Sequence, residues 1–361
     1  MVRANTGYPP LYIAMHQKRI AVAEELLAKG AEVNIVATNG CVALHLAVQL
    51  GDINITRNIL EKDTNINAKE NKGGTPLFFA VGTNNKGMVE FLLNKDAEVN
   101  ISAKDGWYPW HVASSQGFLD VMQLLSLETP DINLKTADTE QYTALWLASQ
   151  QGHIEIVKWL AELGADVNIA RQRDGTTALQ TAIVNNHLPV IKVLVEECKA
   201  DINKTNLNEA SPLYYSLGYW HQAYKLAITK FLLEHNANIH AKTIFGDQPI
   251  HRASNLADVK DIKLLLDHGA SINEVNNDGN TPLHFLVNTE NTIEADKRLT
   301  AIKYLLEHSA SATIKNKEGK SAIDLAKDNF PEAVAWLEHP DNLPPLSEFE
   351  ATIIGLTDFT I

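Results

Sequence analysis

Residues 143–168 read TALWLASQQGHIEIVKWLAELGADVN. Thr143 offers a hydroxyl that can cap a helix N-terminus. Leu145 and Ala148 follow at a spacing of three, which places them on one apolar stripe. Gly152 permits the left-handed turn that ends this short helix. A second helix is predicted next, with Ile156, Val157, Leu160 and Leu163 on one face, and Gly164 ends it in the same way. Val167 and Asn168 lead into a polar loop. Two short antiparallel helices cannot bury such stripes alone, so copies must stack on either side.

Those copies run through the chain. The alanine or proline after the capping position recurs at Pro10, Ala43, Pro76, Pro109, Ala144, Ala178, Pro212, Pro249, Pro282 and Ala322, with gaps of 33, 33, 33, 35, 34, 34, 37, 33 and 40 residues. Proline suits the first helical position, where its missing N–H has no partner to lose. The endings repeat as well, as in Gly30-Ala31-Glu32-Val33-Asn34, Gly164-Ala165-Asp166-Val167-Asn168 and Gly269-Ala270-Ser271-Ile272-Asn273. A period near 33 with segments such as Thr75-Pro76-Leu77 and Thr281-Pro282-Leu283-His284 resembles the ankyrin repeat family, over residues 5–337. The resemblance implies an all-α fold, an ankyrin-repeat α-solenoid with projecting β-hairpin fingers. The organisation expected from it is an array of about ten repeats over 1–337 and a C-terminal tail over 338–361, for capping or targeting.

The whole chain narrows the function classes. A formal net charge of -13, with no basic tract against it, disfavours nucleic acid as a partner. Cys41 and Cys198 fall in different repeats and imply no disulfide framework, so a reducing, cytoplasmic setting is expected. No long apolar run marks a signal peptide or membrane span. A monomer is expected. The first copy lacks a visible polar cap, so partial exposure of Ile13, Val22 or Leu26 is expected there, with fraying or contact with another chain.

Most fingers take 9 residues from the closing asparagine to the next registered proline or alanine, but Asn133 to Ala144 takes 11 and Asn168 to Ala178 takes 10. The seventh copy has four extra residues around Gly218-Tyr219-Trp220-His221, and the ninth has seven between Glu290 and Arg298. The tenth diverges, with a short second helix predicted from Glu332 to Leu337. In the tail, Ser347-Glu348-Phe349-Glu350 precedes Ile353, Ile354, Leu356 and Phe359. This pattern is similar to the C-terminal export signals of ankyrin effectors from intracellular bacteria. It also suits a segment folded back over Val334 and Leu337.

Thirteen histidines raise the question of a metal or a catalytic base. His45, His111, His251 and His284 share one register, and the family resemblance implies that this histidine bonds to backbone and to the neighbouring repeat. No zinc-type spacing occurs. Gly319-Lys320-Ser321 looks like the end of a P-loop, but its required earlier glycine falls on Ile314. No catalytic residues, cofactor or metal are expected.

Aromatic residues carry the binding expectation. The residue two before the registered proline stands on a finger, and Trp107 and Tyr142 hold that place in successive copies beside the two longest fingers. Trp146 takes the histidine place nearby, and Arg171 and Arg173 lie on the next long finger, where a partner carboxylate would suit them. Tyr8, Tyr219, Trp220 and Phe245 complete the candidate contact set. The function expected is a scaffold that binds a protein partner through the concave surface of fingers and inner helices, without catalysis. A secreted effector in a host cytosol is one form of it. The alternatives are a substrate-receptor or regulatory module whose tail recruits a second machine, such as a ubiquitin ligase, and an enzyme with a site assembled across fingers.

Overall fold

A computed structural model describes residues 8–62, 64–128, 131–218, 224–288 and 293–344. The opening stretch folds as its residues dictate. The Thr143 hydroxyl accepts the N–H of Trp146 at 3.2 Å, at the start of a helix over Ala144–Gln151. Gly152 (φ 82°) turns the chain into the second helix, Ile154–Glu162, and Gly164 (φ 87°) ends it. Leu145, Ala148, Ile156, Val157 and Leu160 are each at most 2% exposed. Each large side chain removed from water in this way contributes about 2 kcal/mol.

The chain divides into two compact units, Met1–Arg173 and Asp174–Ile361. The first holds helix pairs α1 (Pro10–His16) and α2 (Ile20–Ala28), α3 (Ala43–Leu50) and α4 (Ile53–Leu60), α5 (Pro76–Gly82) and α6 (Lys86–Leu93), α7 (Pro109–Gln116) and α8 (Leu119–Ser126), and α9 (Ala144–Gln151) and α10 (Ile154–Glu162). The second holds α11 (Ala178–Val184) and α12 (Leu188–Lys192), α13 (Pro212–Ser216) and α14 (Lys225–Glu234), α15 (Pro249–Asn255) and α16 (Val259–Asp267), α17 (Pro282–Val287) and α18 (Ala295–Glu307), and α19 (Ala322–Asn329) and α20 (Val334–Glu338). Within each unit the first helix of a pair packs on the first helix of the next, in the order α1, α3, α5, α7, α9 and α11, α13, α15, α17, α19. The fold class is an all-α ankyrin-repeat solenoid.

The fingers project as expected but form hairpin turns without a ladder. Among the described residues only isolated bridges occur, Lys135 with Thr143 and Lys315 with Ser321. In the finger before α7, Ala103 N–H donates to Trp107 O (2.9 Å) and Gly106 N–H donates to Ala103 O (3.0 Å). The chain re-enters a helix within a few residues of that turn, which leaves too little for paired strands. Neighbouring fingers are tied by single backbone bonds. In the N-terminal unit these run from Asn71 N–H to Asn39 O (3.0 Å), Lys104 to Lys72 (2.7 Å), Ala137 to Gly106 (2.8 Å) and Gln172 to Glu140 (2.9 Å). In the C-terminal unit they run from Leu207 to Asp174 (2.9 Å), Ile244 to Asn208 (3.1 Å), Asn277 to Phe245 (3.0 Å) and Lys317 to Asp278 (2.8 Å). This close approach explains Gly73, whose φ is 85° and where a Cβ would lie 2.8 Å from Lys104 N. Two fingers depart from the glycine rule at that register, with Gln141 at φ 52° and Glu209 at φ 57°.

The insertions have physical consequences. In the ninth copy, α18 extends to 13 residues and brings Arg298 inside, at 6% exposure. Its Nε and Nη2 donate to Leu286 O at 3.0 and 2.8 Å, so the guanidinium satisfies an otherwise orphaned carbonyl at the end of α17. Its Cζ lies 3.8 Å from the Phe330 ring centre. In the tenth copy, the predicted short helix is a 3-10 turn over Pro331–Ala333 followed by α20. Tyr219 and Trp220 lie outside the described residues, as do Ile353, Ile354, Leu356 and Phe359 of the tail. At the first copy, Val22 is 45% exposed, and Ile13 and Leu26 are half-buried.

Candidate functional site

The long finger before α9 is knotted by one carboxylate. Asp138 Oδ1 accepts the Thr136 hydroxyl (2.8 Å) and the N–H groups of Glu140 and Gln141 (3.0 Å each). Thr136 and Tyr142 then close the neck: Tyr142 N–H donates to Thr136 Oγ1 (2.9 Å), and Thr136 N–H donates to Tyr142 O (2.8 Å). These bonds fix the backbone of Tyr142, and hence its ring. On the preceding finger, Asp105 Oδ1 accepts the Trp107 N–H at 3.2 Å and does the same for Trp107.

Five of the expected residues come together here. The Trp107 and Tyr142 rings lie 6.3 Å apart at 59°, and Tyr142 and Trp146 lie 4.8 Å apart at 37°. The Arg171 guanidinium sits 5.8 Å from the Tyr142 ring centre and 5.1 Å from that of Trp146. Glu140 binds both arginines, with one carboxylate oxygen 3.5 Å from Arg171 Nη1 and the other 3.5 Å from Arg173 Nη1. The Tyr142 hydroxyl donates to Glu140 Oε2 at 3.3 Å. Partial burial raises the Tyr142 hydroxyl above its usual range, and Arg171 pulls the other way.

The structure corrects the roles given to two of these residues, Trp146 and Arg171. Trp146 is 3% exposed and forms the floor beneath Tyr142, so it offers no contact surface of its own. Its burial follows from the histidine register, which faces the next copy. Arg171 and Arg173 were expected to reach for a partner carboxylate, but both already share Glu140. Only the Arg173 side chain, 71% exposed, still faces solvent, whereas that of Arg171 is 18% exposed. Trp107 and Tyr142 are half-buried, each showing part of its ring. Tyr8 belongs to another stack, 4.7 Å from Tyr12. Phe245 is 64% exposed on a finger of the C-terminal unit, near the exposed Leu207 and Ile244.

The register of histidines is structural in its geometry. His45 Nδ1 accepts Val42 N–H (3.2 Å), and its Nε2 lies 3.2 Å from Gly74 O on the next finger. His251 and His284 repeat the arrangement with Glu274 O (3.0 Å) and Lys320 O (3.2 Å). His111 reaches Leu134 O at 2.9 Å. Gln180 reproduces both bonds without an imidazole, accepting Thr177 N–H at 2.9 Å and donating to Ala210 O at 2.9 Å. Burial holds His45, His251 and His284 below the usual histidine range and lowers His111 to about 4. In His45, His251 and His284 both ring nitrogens are engaged and no lone pair or proton is free for chemistry, whereas His111 Nδ1 is buried without a partner among the described residues.

Sequence reasoning did not find Glu140, because its role depends on two arginines that the finger turn brings back to it. It also missed a buried charge cluster in the C-terminal unit. Lys225 Nζ there lies 2.8 Å from Asp258 Oδ2 and 2.6 Å from Asp261 Oδ2, and Asp261 is 1% exposed. The i, i+3 pair of aspartates was the available signal, but its lysine is 33 residues away.

This assembly of stacked helix pairs, tied fingers and an aromatic cluster on adjacent finger necks defines a repeat-built recognition module. A family model described as "Ankyrin repeats (3 copies)" matches in overlapping windows from 11–105 through 220–316, and the chain belongs to the ankyrin-repeat family. It is 30% identical to the putative ankyrin repeat protein YahD of Escherichia coli (strain K12) over 194 residues, which are 53% of this chain and 92% of that protein. It is 28% identical to the probable 26S proteasome regulatory subunit p28 of Saccharomyces cerevisiae over 151 residues, 41% of this chain and 63% of that one. Alpha-latrocrustotoxin-Lt1a of Latrodectus tredecimguttatus is 32% identical over 135 residues, 37% of this chain, and the match spans only 9% of the toxin's length. The family supports a protein–protein interaction module. No described helix is long and apolar enough to cross a membrane.

Proposed function

We propose that this chain recognises a protein partner across the Trp107–Tyr142 face of its N-terminal unit, without carrying out a reaction on it. The observation that carries this reading is the aromatic pair itself. Two rings on neighbouring finger necks are held by backbone bonds, floored by Trp146 and flanked by Arg171 and Glu140. Little conformational freedom remains to be lost on association, so the contact area converts efficiently into affinity. Arg173 supplies an exposed cation at the edge, where it meets a partner carboxylate in competition with Glu140.

The test is affinity capture from cytosol followed by calorimetric titration of the captured protein against wild type and a Trp107→Ala/Tyr142→Ala variant. The double variant is expected to lose about 1–3 kcal/mol per ring in binding, with melting temperature nearly unchanged. An equal loss of folding stability would show that the rings serve the core instead. The proposal treats 1–337 as one array in a monomeric, cytoplasmic protein and 338–361 as a tail.

The regulatory alternative draws support from the likeness to a protein named as a proteasome regulatory subunit. In that reading the tail recruits a second machine. The narrower effector proposal instead gives the tail the task of delivery into a host cytosol. Removing residues 345–361 separates them: the first reading expects loss of one of two captured partners, and the second expects lost delivery with capture unchanged.

A further inference from the structure

We infer that the N-terminal unit carries a groove that docks an acidic, apolar segment of a partner protein. The inference rests on the proposed role in protein recognition but names a surface and a chemistry of its own.

The groove has a volume of about 1000 Å³ and runs along the inner helices of the first three copies and the fingers beside them. Its floor is apolar for a reason visible in the sequence. The register that carries histidine in other copies holds Tyr12 and Phe78 here, and the next position holds Leu46 and Phe79. Phe78 and Phe79 are half-buried, and the Phe79 ring stands edge-on to His45 at 5.6 Å. Gly82, near the end of α5, leaves the depression open, since a Cβ there would meet nothing within 4 Å.

Charge decides the occupant. Two carboxylates line the groove, and both are turned into their own fingers. Glu70 Oε1 accepts Lys72 N–H (2.8 Å) and Gly74 N–H (3.0 Å), while Asp105 Oδ1 accepts Trp107 N–H (3.2 Å). The ammonium groups are not so engaged. Lys72 and Lys104 stand exposed on adjacent fingers whose backbones bond directly at 2.7 Å. At the other end the groove passes His16, Gln49 and Thr83 into a hollow reaching the exposed Lys18. Lys18, Lys72 and Lys104 make no ion pair among the described residues. In a protein of net charge -13, an apolar floor ringed by unpaired lysines selects apolar side chains interleaved with carboxylates. A basic segment would meet three like charges there and would find the two carboxylates already bonded to backbone.

The test uses the full chain and two synthetic peptides with identical apolar positions, one with glutamate and one with lysine at the intervening positions. Fluorescence anisotropy at low salt is expected to show the acidic peptide bound at least about tenfold more tightly, with the advantage shrinking as salt rises. Gly82→Trp should weaken the acidic peptide about tenfold or more by filling the groove, with an unchanged melting temperature, because the site is exposed and helical. Lys72→Glu/Lys104→Glu should reverse the preference between the peptides. Equal binding of the two peptides, no binding of the acidic one, or indifference to Gly82→Trp overturns the groove. Loss of peptide binding in Trp107→Ala/Tyr142→Ala with full binding in Gly82→Trp would also overturn it, while leaving the aromatic face intact as a proposal.

Discussion

His111 should make this protein lose stability as the solution is acidified, by an amount that one substitution can isolate. Its side chain is fully buried and its Nε2 is committed to Leu134 O at 2.9 Å. Burial opposes the charged form most strongly and lowers the folded-state pKa from 6.5 to about 4. The unfolded chain therefore binds a proton in the window from 6.5 down to about 4 that the folded chain refuses. The stability this neutral ring contributes is fully present above pH 6.5 and is lost as pH falls, levelling off only below about 4. At about 1.4 kcal/mol per pH unit, the loss between pH 7.5 and 4.5 comes to roughly 2–3 kcal/mol. Carboxylates titrate over part of the same range, so wild type alone cannot assign the effect. His111→Gln can, because Gln180 already fills this register with an uncharged donor and acceptor. Urea unfolding of both proteins at pH 7.5 and 4.5, followed by circular dichroism, gives the two differences. Wild type should lose roughly 2–3 kcal/mol more than His111→Gln across that interval. Identical losses would refute the claim that His111 is buried neutral.

Leu160→Ala, at a fully buried position, should cost roughly 2–5 kcal/mol, with hydrogen exchange rising first in the α9–α10 pair and its neighbours. Gln141→Gly should stabilise the protein by about 0.5–1 kcal/mol in thermal unfolding, since Gln141 holds φ 52° where most other fingers use glycine. Lys225→Met should destabilise the C-terminal unit by about 3–5 kcal/mol at pH 8, because it strands the buried Asp261 carboxylate. Burial first, then Asp258, raises Asp261 to about 6 even though Lys225 pulls it down; without the lysine the carboxyl is held higher still, so the penalty should shrink as pH falls from 8 toward 6 and the stranded carboxylate takes up a proton. A penalty for Lys225→Met that is flat from pH 8 to 5 would contradict the pairing.

The repeat was legible because its signals are local. Thr143 caps, Pro76 and Pro282 start helices, Gly152 and Gly164 end them, and each acts within one turn of its own position. The aromatic cluster was half legible. Placing Trp107 and Tyr142 on adjacent finger necks required only counting from the registered proline. The burial of Trp146 and the capture of Arg171 and Arg173 by Glu140 depend on how the finger folds back. The extra residues there open a path for the chain, but no residue spacing reports the direction it takes. Lys225, Asp258 and Asp261 were missed for a related reason: the aspartate pair is visible within one copy, but nothing in its spacing points to a lysine in the copy before it. The groove was missed because its key position is Gly82, where the information is the lack of a side chain.

Main-chain bonds tie the neighbouring fingers, with side chains such as Asn71 and Asn277 adding to them at some tips, and this bears on how such a protein changes over generations. Lys104 N–H to Lys72 O and Ile244 N–H to Asn208 O form whatever side chains those positions carry. Tip residues whose side chains bond no neighbouring finger can therefore be rewritten by drift while the main-chain bonds persist. The exceptions are turn positions such as Gly73, where any side chain would strike the adjoining backbone. Selection acting on a new partner thus has a set of positions to alter freely, each displayed at a fixed spacing. The copies that diverge most in their tips need not be those that diverge most in their helices.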